Sequence, residues 1–474
     1  MPICQSTAKS IPAVLSNIPT IIAISICICL TACGGGGNGG GTTPQTPAIT
    51  SVAVGCSPGS INTNQTSTCA ATVNGNGSYS SAVTWAASDG TITSSGVFTP
   101  TAAGTATITA TSTEDTTKSG TASIAVGGPT TTVYVAGFMT NSSGNPVAAE
   151  WQLVPGSSNA TTKMLILPIT SSGVTEEYTA TGIAVSGSDV YVVGYGDYSG
   201  TQYTALYWVN GTLETLSANG GEFQATSIAV SGSDVYVAGT EGPPGYESPV
   251  YWVNGTVKGL STPSGTVDPE ATGIAVSGSD VYVSGEWGVL CGSGLTEGYC
   301  QTPGYWVNGT LKTLPLPSGW TNAVPTGIAA SGSDVYLAGY EAGGNAAAYW
   351  VNGTLQTLPL PSGASWTIIT GIAVSGSNVY VVGYGGDNTT GDQTAMFWVN
   401  GTLETLPLPS GMTGAEATGI AVSGSDVYVA GCAILGGFQP CSQAAYWVNG
   451  KPETLPLSSN MTGAEATGIA VSTQ

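Results

Sequence analysis

Carboxylates are the main candidates for catalysis or cation binding in this chain, because its 474 residues contain no histidine and no arginine. Ser-His-Asp triads, His-bound metals and arginine-dependent sites are therefore excluded. Glu270, Glu416 and Glu465 recur at one position of a repeated segment. Such a ring of acids could hold Ca²⁺ through its oxygens, and a solvated acidic rim is the alternative. Asp387–Asp392 is a second, weaker calcium candidate, and we expect no other cofactor.

A carboxylate pair would leave glycoside hydrolysis as the one accessible reaction class. Near-identical repeats argue against one specialised catalytic unit, so we expect no enzyme activity. Three of the eleven tryptophans, Trp287, Trp320 and Trp366, fall in variable segments rather than at the recurring tryptophan position. Exposed aromatics on a surface of low charge favour binding of a polysaccharide or a protein partner. The alternative is that these side chains anchor their own loops.

The charge balance limits the partners further. Six lysines stand against 27 acidic residues, which gives a formal net charge of −21. A polyanion needs a cluster of basic residues, so nucleic acid is excluded and anionic lipid surfaces are disfavoured. We expect a monomer.

One unit of four short segments repeats seven times between Val133 and Ser472. The segments resemble GIAV, VYV, YWV and TLETL, and we name them strands A, B, C and D. A period of about 50 residues with four strands is typical of a β-propeller. The strand C tryptophans, expected in the core between blades, are Trp151, Trp208, Trp252, Trp306, Trp350, Trp398 and Trp447.

The repeats begin at strand B and end at strand A. We therefore expect the C-terminal strand, Ala466–Ser472, to pair beside Val133–Val135 and close a seven-bladed ring, which also covers an exposed sheet edge. Asn-Gly recurs between strands C and D and indicates type I′ turns. The turn between strands A and B reads Ser-Gly-Ser-Asp. Both constant turns are predicted on one edge of the sheets and the variable loops on the other, where function concentrates.

The first residues have the features of an export signal. Ile18–Leu30 is apolar, and Leu30-Thr31-Ala32-Cys33 resembles the lipobox of bacterial lipoproteins. The resemblance implies a signal peptide at 1–32 and acylation of Cys33, followed by a Gly-rich tether to residue 47. An ordinary signal peptide or a short membrane helix is the alternative. The implied location is the bacterial cell envelope, at the outer membrane or cell surface, with the lipid as the only membrane contact.

Six of the ten cysteines form three close pairs. Even pairing fits disulfides in an oxidising compartment, and metal binding is disfavoured because no CxxC motif or histidine accompanies them. The predicted disulfides are Cys56–Cys69, Cys291–Cys300 and Cys432–Cys441.

Residues 48–127 contain short Thr/Val/Ala strands separated by turns, which indicates a β-sandwich. The pieces ITSVAV, TCAATV, AVTWAASDGTITSSGVFTP and TASIAV resemble bacterial Ig-like domains of group 2. The resemblance implies a stalk or adhesion module with Trp85 as its buried aromatic. The segment 133–473 resembles the VYVAGY…YW-x-NG arrays of uncharacterised bacterial surface proteins.

The predicted fold is thus all-β, with an Ig-like sandwich followed by a seven-bladed β-propeller closed by its C-terminal strand. The predicted function is that of a lipid-anchored surface protein acting as a non-enzymatic binding or adhesion module. A structural surface-layer or matrix component without a discrete ligand is one alternative, and a carboxylate-dependent glycosidase is another.

Overall fold

The computed structural model describes residues 48–128, 130–155, 163–166, 177–197, 203–214, 216, 222–242, 247–291, 298–344, 346–387, 393–436 and 441–473. Within these residues the chain forms β-strands and no helix, so the all-β prediction is confirmed. No helix long and apolar enough to span a membrane was found in this part of the chain.

The N-terminal region consists of two four-stranded sheets, ordered β1-β3-β6-β5 and β2-β8-β7-β4. The short strands that the sequence predicts between residues 48 and 127 are present. The strands are β1 (Ala48–Ser57), β2 (Ser60–Asn62), β3 (Ser67–Asn76), β4 (Val83–Ala87), β5 (Thr91–Ile92), β6 (Val97–Thr99), β7 (Gly104–Ser112) and β8 (Ser119–Gly127).

The Cys56–Cys69 disulfide joins β1 to β3, as predicted. Trp85 is only half-buried beside a small apolar cluster, so its expected role as the buried aromatic is wrong. Phe98 is fully buried instead. The bare sequence hides this difference, because both aromatics occupy short strands with similar neighbours.

The remaining strands form seven four-stranded antiparallel sheets, here numbered I to VII. Sheet I combines β36 (Met461–Thr473), β9 (Thr131–Asn141), β10 (Pro146–Leu153) and β11 (Lys163–Ile166). Sheet II holds β12 (Glu177–Ser186), β13 (Asp189–Asp197), β14 (Tyr203–Val209) and β15 (Thr212–Glu214). Sheet III holds β16 (Phe223–Ser231), β17 (Asp234–Glu241), β18 (Ser248–Val253) and β19 (Thr256–Gly259).

The other four sheets follow the same order of strands A, B, C and D. Sheet IV holds β20 (Val267–Ser277), β21 (Asp280–Cys291), β22 (Gly298–Val307) and β23 (Thr310–Thr313). Sheet V holds β24 (Val324–Ser331), β25 (Asp334–Tyr340), β26 (Ala347–Val351) and β27 (Thr354–Leu358). Sheet VI holds β28 (Trp366–Ser375), β29 (Asn378–Gly386), β30 (Gln393–Val399) and β31 (Thr402–Thr405), and sheet VII holds β32 (Gly414–Ser423), β33 (Asp426–Ile434), β34 (Gln443–Val448) and β35 (Lys451–Thr454).

The two ends of this region meet in sheet I. The C-terminal strand β36 pairs antiparallel with β9, and Ile469 and Val471 lie opposite Val135 and Val133, as the sequence predicts. The A strands of consecutive sheets contact one another, and those of sheets VII and I do so as well. Thr418 in sheet VII donates a hydrogen bond of 2.5 Å to the Ala466 carbonyl in sheet I.

The tryptophans of strand C are the main core residues between the sheets. All seven are 0% exposed, so the prediction that they form the core is confirmed. Several of these tryptophans donate an indole N–H hydrogen bond to a backbone carbonyl just after the D strand of the preceding sheet. This bond satisfies the polar end of the buried ring. Trp151, for example, donates to the Pro456 carbonyl at 3.0 Å, and Trp447 donates to the Pro407 carbonyl at 2.8 Å.

The constant turns form as predicted. All six Asn-Gly pairs have positive φ at both residues, for example 50° at Asn308 and 82° at Gly309, which defines type I′ turns. In the Ser-Gly-Ser-Asp turn between strands A and B, the glycine has positive φ, as at Gly278, and the serine that follows it does not. In each described pair, the Asn-Gly turn and the turn between strands A and B lie together at one end of the strands, here called the turn edge. The asparagine side chain holds them there by hydrogen bonding to the turn between strands A and B. The B–C and D–A connections lie at the opposite end of the strands, here called the loop edge.

Each A strand has a register shift that positions its residues for the site. Opposite each shift, strand B carries a glycine packed against the A-strand backbone. A Cβ on Gly431 would lie 1.9 Å from the Glu416 carbonyl oxygen, so no side chain fits there. The shifted segments line a central cavity of about 180 Å³, and its walls are residues 182–183, 226–228, 272–274, 326–328, 370–372, 418–420 and 467–469.

Candidate functional site

In every sheet, one pair of opposed residues from strands A and B lies beside the central cavity, on its loop-edge side. The residue after the strand B glycine lies opposite the residue two places before the strand A threonine. We call these the mouth pairs. They are Phe138–Glu465, Tyr195–Thr179, Thr240–Gln224, Glu286–Glu270, Tyr340–Val324, Tyr384–Ile368 and Cys432–Glu416.

Carboxyl or tyrosine side chains thus occupy most of the mouth pairs, which makes the mouth a polar and aromatic surface. Ionised carboxyl groups at this mouth raise the pKa of neighbouring tyrosines. The charge of Glu286 contributes to the raised pKa of Tyr340, and the charges of Glu416 and Glu465 contribute to that of Tyr384, in both cases after burial as the main cause.

Glu286 is the most deeply buried acid of the mouth, with 6% of its surface exposed. Burial, and then the charge of Glu270 directly opposite, raises the pKa of Glu286 to about 8. Its Oε1 accepts a hydrogen bond from Gln301 Nε2 at 3.3 Å, whereas its Oε2 is buried without a hydrogen-bond partner. At neutral pH Glu286 is therefore mainly a neutral carboxylic acid.

Glu270 lies opposite Glu286 and differs from it in exposure. The residue as a whole is exposed, yet desolvation of its carboxyl, and then the charges of Glu247 and Asp268, raise its pKa. Asp268 belongs to an extra bulge of β20 and has φ of +46°. The bulge directs a third acid toward the same end of sheet IV.

Glu416 and Glu465 lie in neighbouring sheets and interact. Burial raises the pKa of Glu416, and burial together with the Glu416 charge raises that of Glu465 to about 7. Both residues are half-buried. Tyr384 lies close enough that both charges raise its pKa, and its ring makes an edge contact with Trp366 at 5.8 Å between centroids.

The predicted carboxylate triad does not converge on one point. Glu270, Glu416 and Glu465 are not a group of metal-ligating residues whose ligand atoms lie within 4.8 Å of one another in the described chain. Such a group is formed by Glu416, Cys432 and Cys441, but the two cysteines are joined as a disulfide and their sulfurs are not free to bind a metal. The three glutamates line different parts of the mouth.

The three tryptophans proposed for binding differ in their surroundings. Trp287 is 2% exposed and packs against Trp306, with ring centroids 6.1 Å apart, so its expected exposure is wrong. The β21–β22 hairpin extends as far as Cys291, which makes Trp287 a strand residue facing the core. Trp320 and Trp366 are half-buried, and both lie at the loop edge, where they were predicted.

The cysteine predictions are confirmed where both side chains are described. Cys56–Cys69 and Cys432–Cys441 are disulfides, and the second staples the B–C connection of sheet VII at the loop edge. Cys300 is disulfide-bonded, and the side chain of its predicted partner Cys291 lies outside the described residues. Cys33 and residues 388–392 of the second calcium candidate also lie outside them.

Glu286 is the site residue that the sequence reasoning missed. The acids that recur in the repeat pattern lie in strand A, where glutamate occurs three times at one repeat position. Aligning the residue after the strand B glycine would have shown glutamate, tyrosine, phenylalanine, threonine and cysteine at one position. Its burial depends on the neighbouring sheet, which no repeat alignment contains.

No protein-family model matches the chain, and no curated protein matches it. Among solved structures it is similar to the acylaminoacyl peptidase of Pyrococcus horikoshii, with 11% identity and a TM-score of 0.40. The match covers 75% of this chain and 51% of the peptidase, so this chain spans about half of that enzyme.

Two further structures are similar at the same level. The β-propeller domain of the Trilobed protease from Pyrococcus furiosus has 10% identity and a TM-score of 0.40, over 76% of this chain and 96% of the domain. The GH93 α-L-arabinofuranosidase of Fusarium graminearum has 10% identity and a TM-score of 0.34, over 56% of this chain and 92% of the enzyme. Such similarity says nothing about activity.

Proposed function

We propose that this protein is a lipid-anchored bacterial surface protein whose seven sheets are the blades of a closed β-propeller that binds a polysaccharide at its loop edge. The pairing of β36 with β9 and the contacts between successive A strands support the closed ring. The two N-terminal sheets support an Ig-like spacer between the propeller and the acylated Cys33. The anchor itself follows from the sequence alone.

The Trp366–Tyr384 pair is the observation that carries the binding role. Both rings are half-buried, they meet at 87°, and the acids Glu416 and Glu465 act on the tyrosine. Binding sites for small ligands and sugars combine aromatic surface with a few fixed polar groups. Half-buried rings are held in place and still offer a face to a ligand, which lowers the entropy lost on binding. A polysaccharide fits this surface better than a polyanion or an anionic membrane does.

A glycan array probed with the whole chain tests this function. We expect a hit that is lost in the variants Trp366→Ala and Trp320→Ala and kept in Glu404→Gln, an exposed change in the D strand of sheet VI. A pull-down with surface proteins covers the alternative of a protein partner. If neither assay gives a hit and light scattering shows self-assembly, the structural surface-layer role replaces the binding role.

Glycoside hydrolysis is the second candidate, because Glu270 and Glu286 are opposed carboxyls in different surroundings. A buried neutral acid beside a more exposed one is the arrangement by which glycosidases divide acid and base roles. Reducing-sugar release from the glycans that bind, measured for the native chain and for Glu286→Gln, decides between binding and hydrolysis. We expect no release from either.

A further inference from the structure

We propose that the mouth of sheet IV is a binding site for a primary ammonium group, held by Glu286 and Glu270 beneath a cavity lined by Asp268 and Gln301. The acids of this site belong to sheet IV and the Trp366–Tyr384 pair belongs to sheet VI, so the site goes beyond polysaccharide binding at the loop edge and does not rest on it. The ligand class is an organic amine, such as a lysine side chain, a polyamine or an amino sugar.

The first reason is the buried oxygen of Glu286. Glu286 Oε2 is buried and has no hydrogen-bond partner, while Oε1 is bonded to Gln301. A buried acceptor without a donor is costly, because it has lost its water and gained nothing in return. In the ionised form of Glu286 both oxygens are acceptors, so the partner that Oε2 then lacks is a donor. An ammonium group offers three N–H donors and no acceptor.

The second reason is an adjacent space large enough for such a group. A cavity of about 260 Å³ is lined by Val267, Asp268, Gly288 and Gln301. Gly288 lies two residues after Glu286 in β21, so both lie on the same face of the strand. Gln301 lines the cavity, and its side-chain amide donates a hydrogen bond to Glu286, so this residue connects the buried acid to the cavity.

The third reason is the sign of the charges. Glu286, Glu270 and Asp268 all carry carboxyls at this end of sheet IV, and their mutual repulsion contributes to the raised pKa of Glu270 and Glu286. The ion pair found in the described chain, Lys451–Glu453, lies in sheet VII. No described lysine is within 4.0 Å of Glu270 or Glu286, so a cation from outside the chain would relieve the repulsion.

An amine fits this arrangement better than a metal ion does. The acids of sheet IV do not bring three ligand atoms within 4.8 Å of one another, whereas Ca²⁺ needs at least six closely placed oxygens. Tyr340 of sheet V lies close enough to Glu286 that the charge of the carboxylate contributes to the raised pKa of the tyrosine hydroxyl. A tyrosine ring beside carboxylates is a favourable neighbour for an ammonium group, by cation–π attraction.

Isothermal titration of the whole chain with spermidine at pH 7 tests the proposal. We expect saturable binding that is weakened about ten-fold or more in Glu286→Gln, as for loss of a charge-assisted hydrogen bond. The matched variant Glu404→Gln removes the same charge from an exposed strand and should bind as the native chain does. Equal weakening in both variants would mean nonspecific attraction and would overturn the site.

Proton release provides a second readout besides affinity. The ammonium group favours the ionised form of Glu286, which is mainly protonated at pH 7, so binding should release up to about one proton. Titrations in buffers of different ionisation enthalpy measure this release, which Glu286→Gln should abolish. Spermidine binding without proton release would place the amine elsewhere and contradict the proposal.

Two parallel titrations fix the ligand class. Calcium chloride should not compete with spermidine at equal concentration, and competition sensitive to Glu286→Gln would replace the ammonium site by a metal site. A chitosan tetramer and tetralysine then distinguish an amino sugar from a lysine side chain. Retained spermidine binding in Trp366→Ala would show that this site stands even if polysaccharide binding fails.

Discussion

The side-chain amide of Asn308 donates a hydrogen bond of 2.8 Å to Asp280 Oδ1, while its own Oδ1 accepts the backbone N–H of Val281 at 2.9 Å. One residue thus joins the two constant turns of sheet IV. Equivalent bonds occur in sheets II, III, V and VII. Sheet VI has one as well, in which Asn400 donates to Asn378 in place of an aspartate. The recurring acids of the turn edge therefore serve the fold.

Replacing Asn308 should separate its two contributions to stability. Asn308→Gly keeps the positive φ and loses the side-chain bonds, so we expect a loss of about 1 kcal/mol in unfolding free energy. Asn308→Ala loses the bonds and also strains the left-handed backbone, for a total of about 2–3 kcal/mol. Denaturant titration of both variants measures the difference. Equal losses would show that the turn backbone carries no strain.

The strand B glycines should resist any side chain. Gly431→Ala would place a Cβ 1.9 Å from the Glu416 carbonyl, and moving the backbone apart should lower stability by about 1–3 kcal/mol. Gly259→Ala in strand D of sheet III is the matched control, because nothing lies within 4 Å of its Cβ position and its φ is ordinary. Thermal unfolding compares the two. A Gly431→Ala protein as stable as the control would contradict the close packing of strands A and B.

Most of the fold follows from local signals that repeat. Asn-Gly fixes type I′ turns, strand C tryptophan fixes the core position, and the start of the repeats at strand B indicates which strand β36 must join. Each signal is encoded within a few residues, and seven copies reduce the ambiguity of any one. The length of the β21–β22 hairpin is not encoded in this way, so Trp287 was placed in a loop.

The candidate site was less predictable, because it depends on contacts between sheets. Glu270, Glu416 and Glu465 share a repeat position, but their surroundings differ with the residue opposite them: Glu286, Cys432 and Phe138. The pKa of an acid depends on burial and on charges in neighbouring strands, and a repeat pattern contains neither. The sequence therefore pointed to the recurring glutamates of strand A and missed the residue with the most unusual environment.

Stability should fall with rising pH because of Glu286. Its pKa is about 8 in the folded protein against an ordinary 4.5, so between these values the unfolded chain releases the proton that the folded chain keeps. Glu270 and Tyr340 face Glu286, and both remain unchanged in the variant Glu286→Gln. We expect Glu286→Gln to lose less stability between pH 5 and pH 8 than the native chain, by an amount on the order of a few kcal/mol.

Denaturant titrations at several pH values measure this difference. The exposed change Glu404→Gln should follow the native profile. Parallel profiles for the native chain and Glu286→Gln would mean that Glu286 ionises normally and is not desolvated. Glu465, whose pKa is raised from 4.5 to about 7, should contribute in the same direction over a narrower pH window and therefore by a smaller total amount.

The dissociation constant of Trp366→Ala for the glycan that binds most tightly on the array tests the binding role of the loop edge most directly. Loss of an aromatic anchor of about 2 kcal/mol corresponds to a weakening of roughly thirty-fold, and Trp366→Phe should recover much of it. A constant unchanged in Trp366→Ala, with the variant folded, would show that the ligand does not bind at this edge.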